Sequence, residues 1–128
     1  MRYLLLSDIH GNLQAFEAIL QDAPAGLPIW CLGDLVGYGP HPNECIELLK
    51  CYQHECIVGN HDWAVMGKVD VEDFNPDAKH TVEWTRDFPE SPSDIHSIAG
   101  SAGSRSASSS SRFSPACWRP VKNRQTVC

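Results

Sequence analysis

Three short apolar runs alternate with two amphipathic stretches in the first 60 residues of the chain. Residues 3–6, 29–32 and 56–58 are apolar without alternation, as strands buried on both faces of a parallel sheet usually are. Between these runs, apolar residues recur at helical spacing over residues 13–20 and 45–49. The order β-α-β-α-β predicts an α/β fold, whose right-handed crossovers bring the carboxyl ends of the strands to one edge of the sheet.

Residues that suit helix termini support this assignment. Asn12 precedes the first amphipathic stretch, and its side chain is of the type that caps helices. Pro42 suits the first turn of the second stretch, because that turn does not need a backbone N–H from it. Pro76 opens a further stretch, residues 75–87, for which we predict another helix.

A polar cluster follows each of the three predicted strands. In chain order, the clusters are Asp8-Ile9-His10, Gly33-Asp34 and Gly59-Asn60-His61-Asp62. Loops at the carboxyl ends of parallel strands are where α/β proteins place their binding and catalytic groups. Carboxylate, imidazole and amide groups that converge there predict a binuclear metal site.

Four residues of these clusters are candidate metal ligands. Asp8 and His10, two positions apart on an extended segment, can point to the same side and hold one ion. Asp34 has two carboxylate oxygens and can bridge two ions, and Asn60 can offer an amide oxygen to the second ion. Each of these residues alone is also typical of a turn or a helix cap. Their joint occurrence favours the metal site.

His61 and Asp62 are the candidate catalytic residues. His61 lies outside the ligand set, where it can donate a proton or, as a cation, stabilise a developing oxyanion. Asp62 can hydrogen-bond that imidazole, fixing its tautomer and raising its basicity. The alternative is that His61, like His10, is an ordinary surface histidine.

Together the clusters resemble the signature of the calcineurin-like metallophosphoesterase family, which runs Asp-x-His, Gly-Asp and Gly-Asn-His-Asp/Glu. The resemblance covers residues 1–88, which would form the N-terminal β-α-β-α-β portion of a two-layered sandwich. It implies a hydrolase acting on phosphomonoesters or phosphodiesters. It also implies two divalent ions, roughly 3.5–4 Å apart. The ligand types suit Mn, Fe, Zn or Mg and do not choose among them.

The same resemblance assigns the ligands and the substrate contacts. Asp8 and His10 would hold the first ion. Asp34 would bridge the two ions and Asn60 would hold the second. Asn60 and His61 would meet the phosphate of the substrate.

Part of the family pattern is missing from this chain. The family supplies further histidines in a Gly-His pair and a Gly-His-x-His string, but after His61 the sequence has only His80 and His96, and neither follows glycine. We therefore expect a truncated phosphoesterase with impaired activity, since the second ion would keep few donors. One alternative is a non-catalytic scaffold of the same fold that binds a protein partner. Another is that the chain does not fold stably on its own.

Composition changes abruptly near residue 90. Residues 1–90 contain one serine and a net charge of −10, whereas residues 91–128 contain eleven serines and a net charge of +4. We therefore place a family-like domain at residues 1–88 and a Ser/Arg-rich tail at residues 89–128, disordered or non-native. The tail is either out-of-frame or unrelated sequence, or a genuine Ser/Arg-rich extension.

Charge and cysteine content narrow the class of protein. The net charge of −6 argues against a nucleic-acid-binding module, and a phosphate ester would depend on the metal ions for attraction. Cys31 and Cys56 lie in strand-like runs, where cysteine is usually a small buried apolar residue, and we infer a reducing compartment. The apolar start of the chain is too short for a signal peptide or a membrane span, so a cytoplasmic location is expected. The oligomeric state is left open.

Overall fold

The computed structural model describes residues 1–87 and 91–99, where it places three parallel strands and five helices. In chain order these are β1 (Leu4–Leu6), α1 (Leu13–Asp22), β2 (Ile29–Cys31), α2 (Pro42–Lys50), β3 (His54–Cys56), α3 (Asn60–Val65), α4 (Pro76–Arg86) and α5 (Ser91–Ala99). The predicted β-α-β-α-β order and the α/β class are confirmed.

The sheet has the strand order β1-β2-β3 and is parallel throughout. Leu6 pairs with Cys31, and Cys31 pairs with Cys56, so the last paired residues of the three strands lie in one row. Because parallel strands in this register end together, the loops that follow them leave from the same edge of the sheet. That edge carries the three polar clusters.

The third strand lies earlier than the sequence predicted. The predicted strand covered residues 56–58, whereas β3 runs from His54 to Cys56. The reason is the register: β2 offers only three residues for pairing, and its first residue, Ile29, faces His54. Ile57 still donates its N–H to the Cys31 carbonyl, at 3.0 Å, but its side chain is exposed. The apolar run therefore predicted correctly that a strand is present, but it predicted the wrong residues for that strand.

Helix termini follow the predictions closely. The Asn12 side chain accepts a hydrogen bond from the Ala15 N–H at 3.1 Å, and Asn75 does the same for Ala78 at 2.8 Å. Pro42 is the first residue of α2, and the helix predicted near residues 75–87 is α4. Across the part of the chain that the structure describes, no helix is long and apolar enough to cross a membrane.

The hydrophobic core lies between one face of the sheet and the helices. Its largest fully buried side chains include Phe16, Ile29, Leu35, Ile46, Leu49 and Ile95. The cysteines of the strands, Cys31 and Cys56, are buried there as predicted, and burial raises the pKa of the Cys45 thiol to about 12. These thiols serve as small apolar residues in this core.

Helix α5 extends the packed structure beyond the predicted boundary at residue 88. Ile95 and Ile98 are buried in the core, and Asp94 forms an ion pair with Lys50 of α2 at 3.0 Å. The start of the serine-rich segment is thus a helix that covers α2 and β3. Residues 100–128 lie outside the described part of the chain, so the nature of the remaining tail stays a prediction.

The opposite face of the sheet is apolar and exposed. Leu5, Trp30, Leu32 and Ile57 each expose more than two fifths of their side-chain surface there. Tyr3 packs against Trp30 with 4.4 Å between ring centroids. No element in the described ranges, 1–87 and 91–99, covers these side chains. A face of this kind is typical of a surface that meets another layer or a partner.

Candidate metal centre

The loop after β1 and the loop after β2 hold the first two clusters against each other. The His10 N–H donates to the Asp34 carbonyl at 2.9 Å, and the Gly11 N–H donates to the Leu35 carbonyl at 2.9 Å. Asp8 also donates its N–H, to the Gly33 carbonyl at 3.2 Å. These bonds continue the pairing of β1 with β2 beyond the ends of the strands, and they bring the side chains of the two clusters together.

Three of the predicted ligands have an unusual backbone conformation. Asp8, His10 and Asp34 have φ angles of 56°, 50° and 53°, in the left-handed region. For residues other than glycine this conformation costs about 1–2 kcal/mol each. Such strain concentrates at functional sites, where the surrounding structure holds it in place. Here it turns the three side chains toward one point.

The side chains of Asp8, His10 and Asp34 form a cluster of the size that a metal ion requires. One ligand atom from each lies within 4.8 Å of the other two. The distance from His10 Nε2 to an oxygen of Asp8 is 3.7 Å. The cluster is partly open to solvent, since the Asp8 side chain is 65% exposed and that of His10 is 21% exposed. An ion can therefore enter it from solution.

The donor set of this cluster fits a divalent cation. His10 Nδ1 donates to the Val36 carbonyl at 3.0 Å, which leaves the lone pair of a neutral ring on Nε2, the atom near Asp8. A second nitrogen bonded in this way is the usual arrangement of a metal-binding histidine. Two carboxylates and one imidazole suit Mn²⁺, Fe²⁺, Zn²⁺ or Mg²⁺.

Glycines allow the second and third cluster loops to touch. A Cβ atom on Gly33, which has a φ of +98°, would lie 2.6 Å from the Gly59 nitrogen. A Cβ atom on Gly59 would overlap the Asp34 carboxylate itself. Only glycine at both positions lets the loop of Asp34 approach the start of α3 this closely.

Asn60 lies beside Asp34 at the start of α3. Its neighbour His61 donates a backbone N–H to Asp34 Oδ1 at 3.0 Å, and its other neighbour is Gly59. The Asn60 side chain is exposed. The structure thus brings the fourth predicted ligand to the correct edge of the sheet and leaves its amide open to solvent.

His61 packs into the cluster through its ring. The ring centroids of His10, Tyr38 and Phe74 lie 4.8, 4.9 and 5.1 Å from that of His61. Its Nδ1 atom is buried and has no hydrogen-bond partner among the described residues. Burial, with repulsion from His10, lowers the pKa of His61, although the Asp34 and Asp8 carboxylates oppose this. A lowered pKa favours the neutral imidazole over the cation, and the sequence had left both a proton donor and a cation open for this residue.

Asp62 differs most from its predicted role. Its carboxylate accepts hydrogen bonds from three backbone N–H groups, those of Asp34 at 2.8 Å, Gly59 at 2.9 Å and Val36 at 3.1 Å. It is 1% exposed, and burial raises the pKa of this carboxyl although the backbone donors lower it. In the described residues the His61 Nδ1 has no hydrogen-bond partner, and both Asp62 oxygens accept backbone N–H groups instead of the predicted bond to the imidazole.

Two aromatic residues that pack against His61, Tyr38 and Phe74, could hardly be predicted as site residues from the sequence. Tyr38 lies in a glycine-rich loop at a φ of 61°, with its ring 5.0 Å from that of His10. Its hydroxyl accepts a hydrogen bond from Asn75 at 3.3 Å. Phe74 comes from the segment between α3 and α4, which has no periodic pattern. An unusual aromatic residue between two glycines was the only signal available for Tyr38.

An apolar cavity lies at the opposite edge of the sheet, where the strands begin. It measures about 310 Å³ and is lined by the turn after α1, by Leu4 and by Tyr52. Its lining is mainly apolar and includes none of the cluster residues. The candidate ligands therefore lie at the polar edge of the sheet and outside this cavity.

Comparison with known proteins identifies the family. The family model described as calcineurin-like phosphoesterase matches residues 1–123. An uncharacterised protein of Methanocaldococcus jannaschii is 45% identical over 84 residues, covering 64% of this chain and 35% of its own length. The symmetrical bis(5'-nucleosyl)-tetraphosphatase of Ectopseudomonas mendocina is 34% identical over 67 residues, covering 48% of this chain and 25% of its own.

A solved structure agrees with these matches. The crystal structure of a metallophosphoesterase from Sphaerobacter thermophilus superposes with a TM-score of 0.61 at 44% identity, covering 77% of this chain and 41% of that one. The chain spans between a quarter and about a third of the length of these two relatives. The family match continues through residue 123, beyond the resemblance at residues 1–88. The chain belongs to the calcineurin-like phosphoesterase family.

Proposed function

We propose that the chain carries one half of a phosphoesterase active site and hydrolyses phosphomonoester or phosphodiester bonds with two divalent cations. The observation that carries the proposal is the approach of Asp8, His10 and Asp34 within 4.8 Å in a chain of this family. In this proposal Asp8 and His10 hold the first cation. Asp34 would contribute to both cations, and Asn60 would give its amide oxygen to the second.

The bound cations would supply Lewis-acid polarisation of the phosphate and a nucleophile that is available at neutral pH. The chain's own residues position the substrate. Asn60 is exposed beside Asp34 and would hydrogen-bond a phosphate oxygen. His61, neutral and held by the rings of His10 and Tyr38, would face the phosphate or the leaving group. An imidazole in that place can donate one hydrogen bond to the departing oxygen.

We further propose that the activity is impaired, because the second cation has few donors in this chain. His80 and His96 are exposed on α4 and α5 and are not part of the cluster. His54 uses its Nδ1 atom to bond the Tyr52 carbonyl on the opposite side of β3 from the site. Of the described histidines, only His10 belongs to the ligand cluster, with His61 against it. We expect tight binding at the first position and weak binding at the second.

A hydrolysis assay tests the proposal. Bis(p-nitrophenyl) phosphate and p-nitrophenyl phosphate are supplied to the full chain with Mn²⁺, Zn²⁺ or Mg²⁺ in turn. We expect slow turnover that depends on the metal and disappears in Asp34→Ala. Asp22→Asn, which changes an exposed carboxylate at the far end of α1, is the matched control and should leave turnover unchanged. Turnover that survives in Asp34→Ala would contradict the proposal.

A non-catalytic scaffold remains the second candidate function. The observation in its favour is the apolar outer face of the sheet, formed by Leu5, Trp30, Leu32 and Ile57. A scaffold does not need the ligand cluster, whereas a metal-dependent enzyme does. Absence of turnover with every cation, together with partner binding that Leu5→Lys abolishes, would favour the scaffold over the enzyme.

The proposal places the protein in the reducing cytoplasm. Its support is the set of free cysteines among the described residues, three of which are buried in the core. Cysteines of secreted domains are more often paired in disulfides. Fractionation of cells, followed by detection with an antibody to the chain, tests the location directly.

A further inference from the structure

Asp62 is a buried carboxylate whose described partners all belong to the backbone. It is 1% exposed and accepts the N–H groups of Asp34, Gly59 and Val36 at 2.8, 2.9 and 3.1 Å. Hydrogen bonds to a carboxylate are stronger than those between two neutral groups. Because its oxygens are fixed by these bonds, Asp62 does not act as a mobile proton carrier. Its surroundings indicate a structural role.

Each of the three donors is directly linked to a proposed metal ligand. Asp34 is itself a ligand. Val36 uses its carbonyl to accept the Nδ1 proton of His10 at 3.0 Å, so its position sets the orientation of that ring. Gly59 precedes Asn60 in the chain. A single side chain therefore fixes the backbone next to three ligands that come from three different loops.

Capping of α3 accounts for only part of this arrangement. Asp62 is the third residue of the helix, and its side chain accepts the N–H of Gly59, the residue that precedes the helix. The bonds to Asp34 and Val36 instead cross to the loop after β2, 28 and 26 residues away in sequence. A capping residue has no need of those two bonds.

We propose that Asp62 is a positioning residue that fixes the spacing between the Asp34 loop and the Asn60 turn, and thereby sets the affinity and geometry of metal binding. The inference rests on the proposed function and assigns to Asp62 a task that does not involve the imidazole of His61. The strained backbone of Asp34, at a φ of 53°, is held from both sides: Asp62 accepts its N–H, and His10 donates to its carbonyl.

The test compares the full-length protein with Asp62→Asn and Asp62→Glu by Co²⁺ titration. Asp62→Asn keeps the shape but turns an NH₂ group toward at least one backbone donor. Asp62→Glu keeps the charge but displaces both acceptor oxygens by one methylene. We expect both variants to bind Co²⁺ about 10–100-fold more weakly. We also expect altered visible absorption bands of the bound Co²⁺, because ligand geometry determines these bands and overall stability does not.

Val82→Ala is the matched control. Val82 is fully buried on α4, which supplies none of the proposed ligands, so its truncation destabilises the fold without removing a ligand or a bond of Asp62. It should keep the Co²⁺ affinity and absorption bands of the unmutated protein. Loss of stability alone is thereby separated from loss of ligand geometry.

The outcomes distinguish this inference from the function on which it rests. Absence of Co²⁺ binding by the unmutated protein would overturn the proposed function and the inference together. Normal binding by that protein, with equal affinity in folded Asp62→Asn, would overturn the inference alone. Normal affinity in Asp62→Glu with a loss in Asp62→Asn would assign the effect to charge, and would overturn the inference that Asp62 sets the spacing of the loops. Failure of both variants to fold, with Val82→Ala folded, would limit Asp62 to a role in the fold and also contradict the inference.

Discussion

The backbone N–H of His61 donates a hydrogen bond to the carboxylate of Asp34, with 3.0 Å between the nitrogen and Oδ1. This bond joins the loop after β2 to the first turn of α3. It uses one acceptor site of Oδ1, and the carboxylate keeps further acceptor sites on both oxygens for cations. The same carboxylate lies within 4.8 Å of the ligand atoms of Asp8 and His10. Asp34 is thus the residue on which all three clusters meet.

Asp34→Asn should stabilise the metal-free protein and abolish its response to metal. The carboxylates of Asp8 and Asp34 repel each other at this separation, and the amide keeps an acceptor for the His61 N–H. We expect the metal-free melting temperature to rise by about 2–4 °C, which corresponds to roughly 0.5 kcal/mol in a domain of this size. Calorimetry with and without Mn²⁺ measures both effects. A variant that keeps the metal-induced rise of the unmutated protein would contradict the assignment of Asp34.

Gly59→Ala should weaken metal binding and destabilise the fold. The new Cβ would overlap the Asp34 carboxylate and lie 2.5 Å from the Asp34 nitrogen, so the two loops must separate. We expect a loss of about 1–3 kcal/mol in the free energy of unfolding, with Mn²⁺ affinity reduced as well. Urea denaturation and Mn²⁺ titration check the two expectations.

Gly26→Ala is the control for that substitution. Gly26 has a φ of +78° in the turn after α1, and an added Cβ there meets nothing within 4 Å. The cost is therefore conformational, about 1–2 kcal/mol, and Mn²⁺ affinity should not change. Equal losses of affinity in both variants would show that general destabilisation, and not the contact with Asp34, is responsible.

Ile95→Ala should destabilise the protein although residue 95 follows the change in composition. Ile95 is 2% exposed, and α5 packs against α2 and β3. Truncation of a buried isoleucine costs about 2–5 kcal/mol. Thermal unfolding followed by circular dichroism measures the loss, with the exposed neighbour substitution His96→Ala as the neutral control. Identical melting curves for both variants would mean that α5 does not contribute to the core.

The positions of the candidate ligands could be predicted because they depend on a simple property of parallel sheets. Strands that end in register deliver their following loops to one edge, so Asp8 meets Asp34 and Asn60 lies at the same edge, although 26 residues separate each from the next. The cap at Asn12 was similarly predictable, because the side-chain chemistry that begins a helix is local.

The hydrogen-bond partners of a buried polar side chain depend on tertiary contacts, which a local sequence pattern does not indicate. Asp62 follows His61 in sequence, which suggested a hydrogen bond between them, yet its carboxylate lies against the backbone of Asp34 and Val36. The exact position of β3 depends on its pairing with β2, which the apolar run at residues 56–58 does not reveal. Helix α5 was hidden by its serine content, although Ile95 and Ile98 have the spacing of one helical face.

Anomalous diffraction from crystals grown with Mn²⁺ tests the central claim most directly. The account predicts a manganese peak in direct contact with a carboxylate oxygen of Asp8, Nε2 of His10 and a carboxylate oxygen of Asp34. The same peak should be absent from crystals of Asp34→Ala. Crystals of the unmutated protein with no peak at this position, or with a peak that persists in the variant, would contradict it.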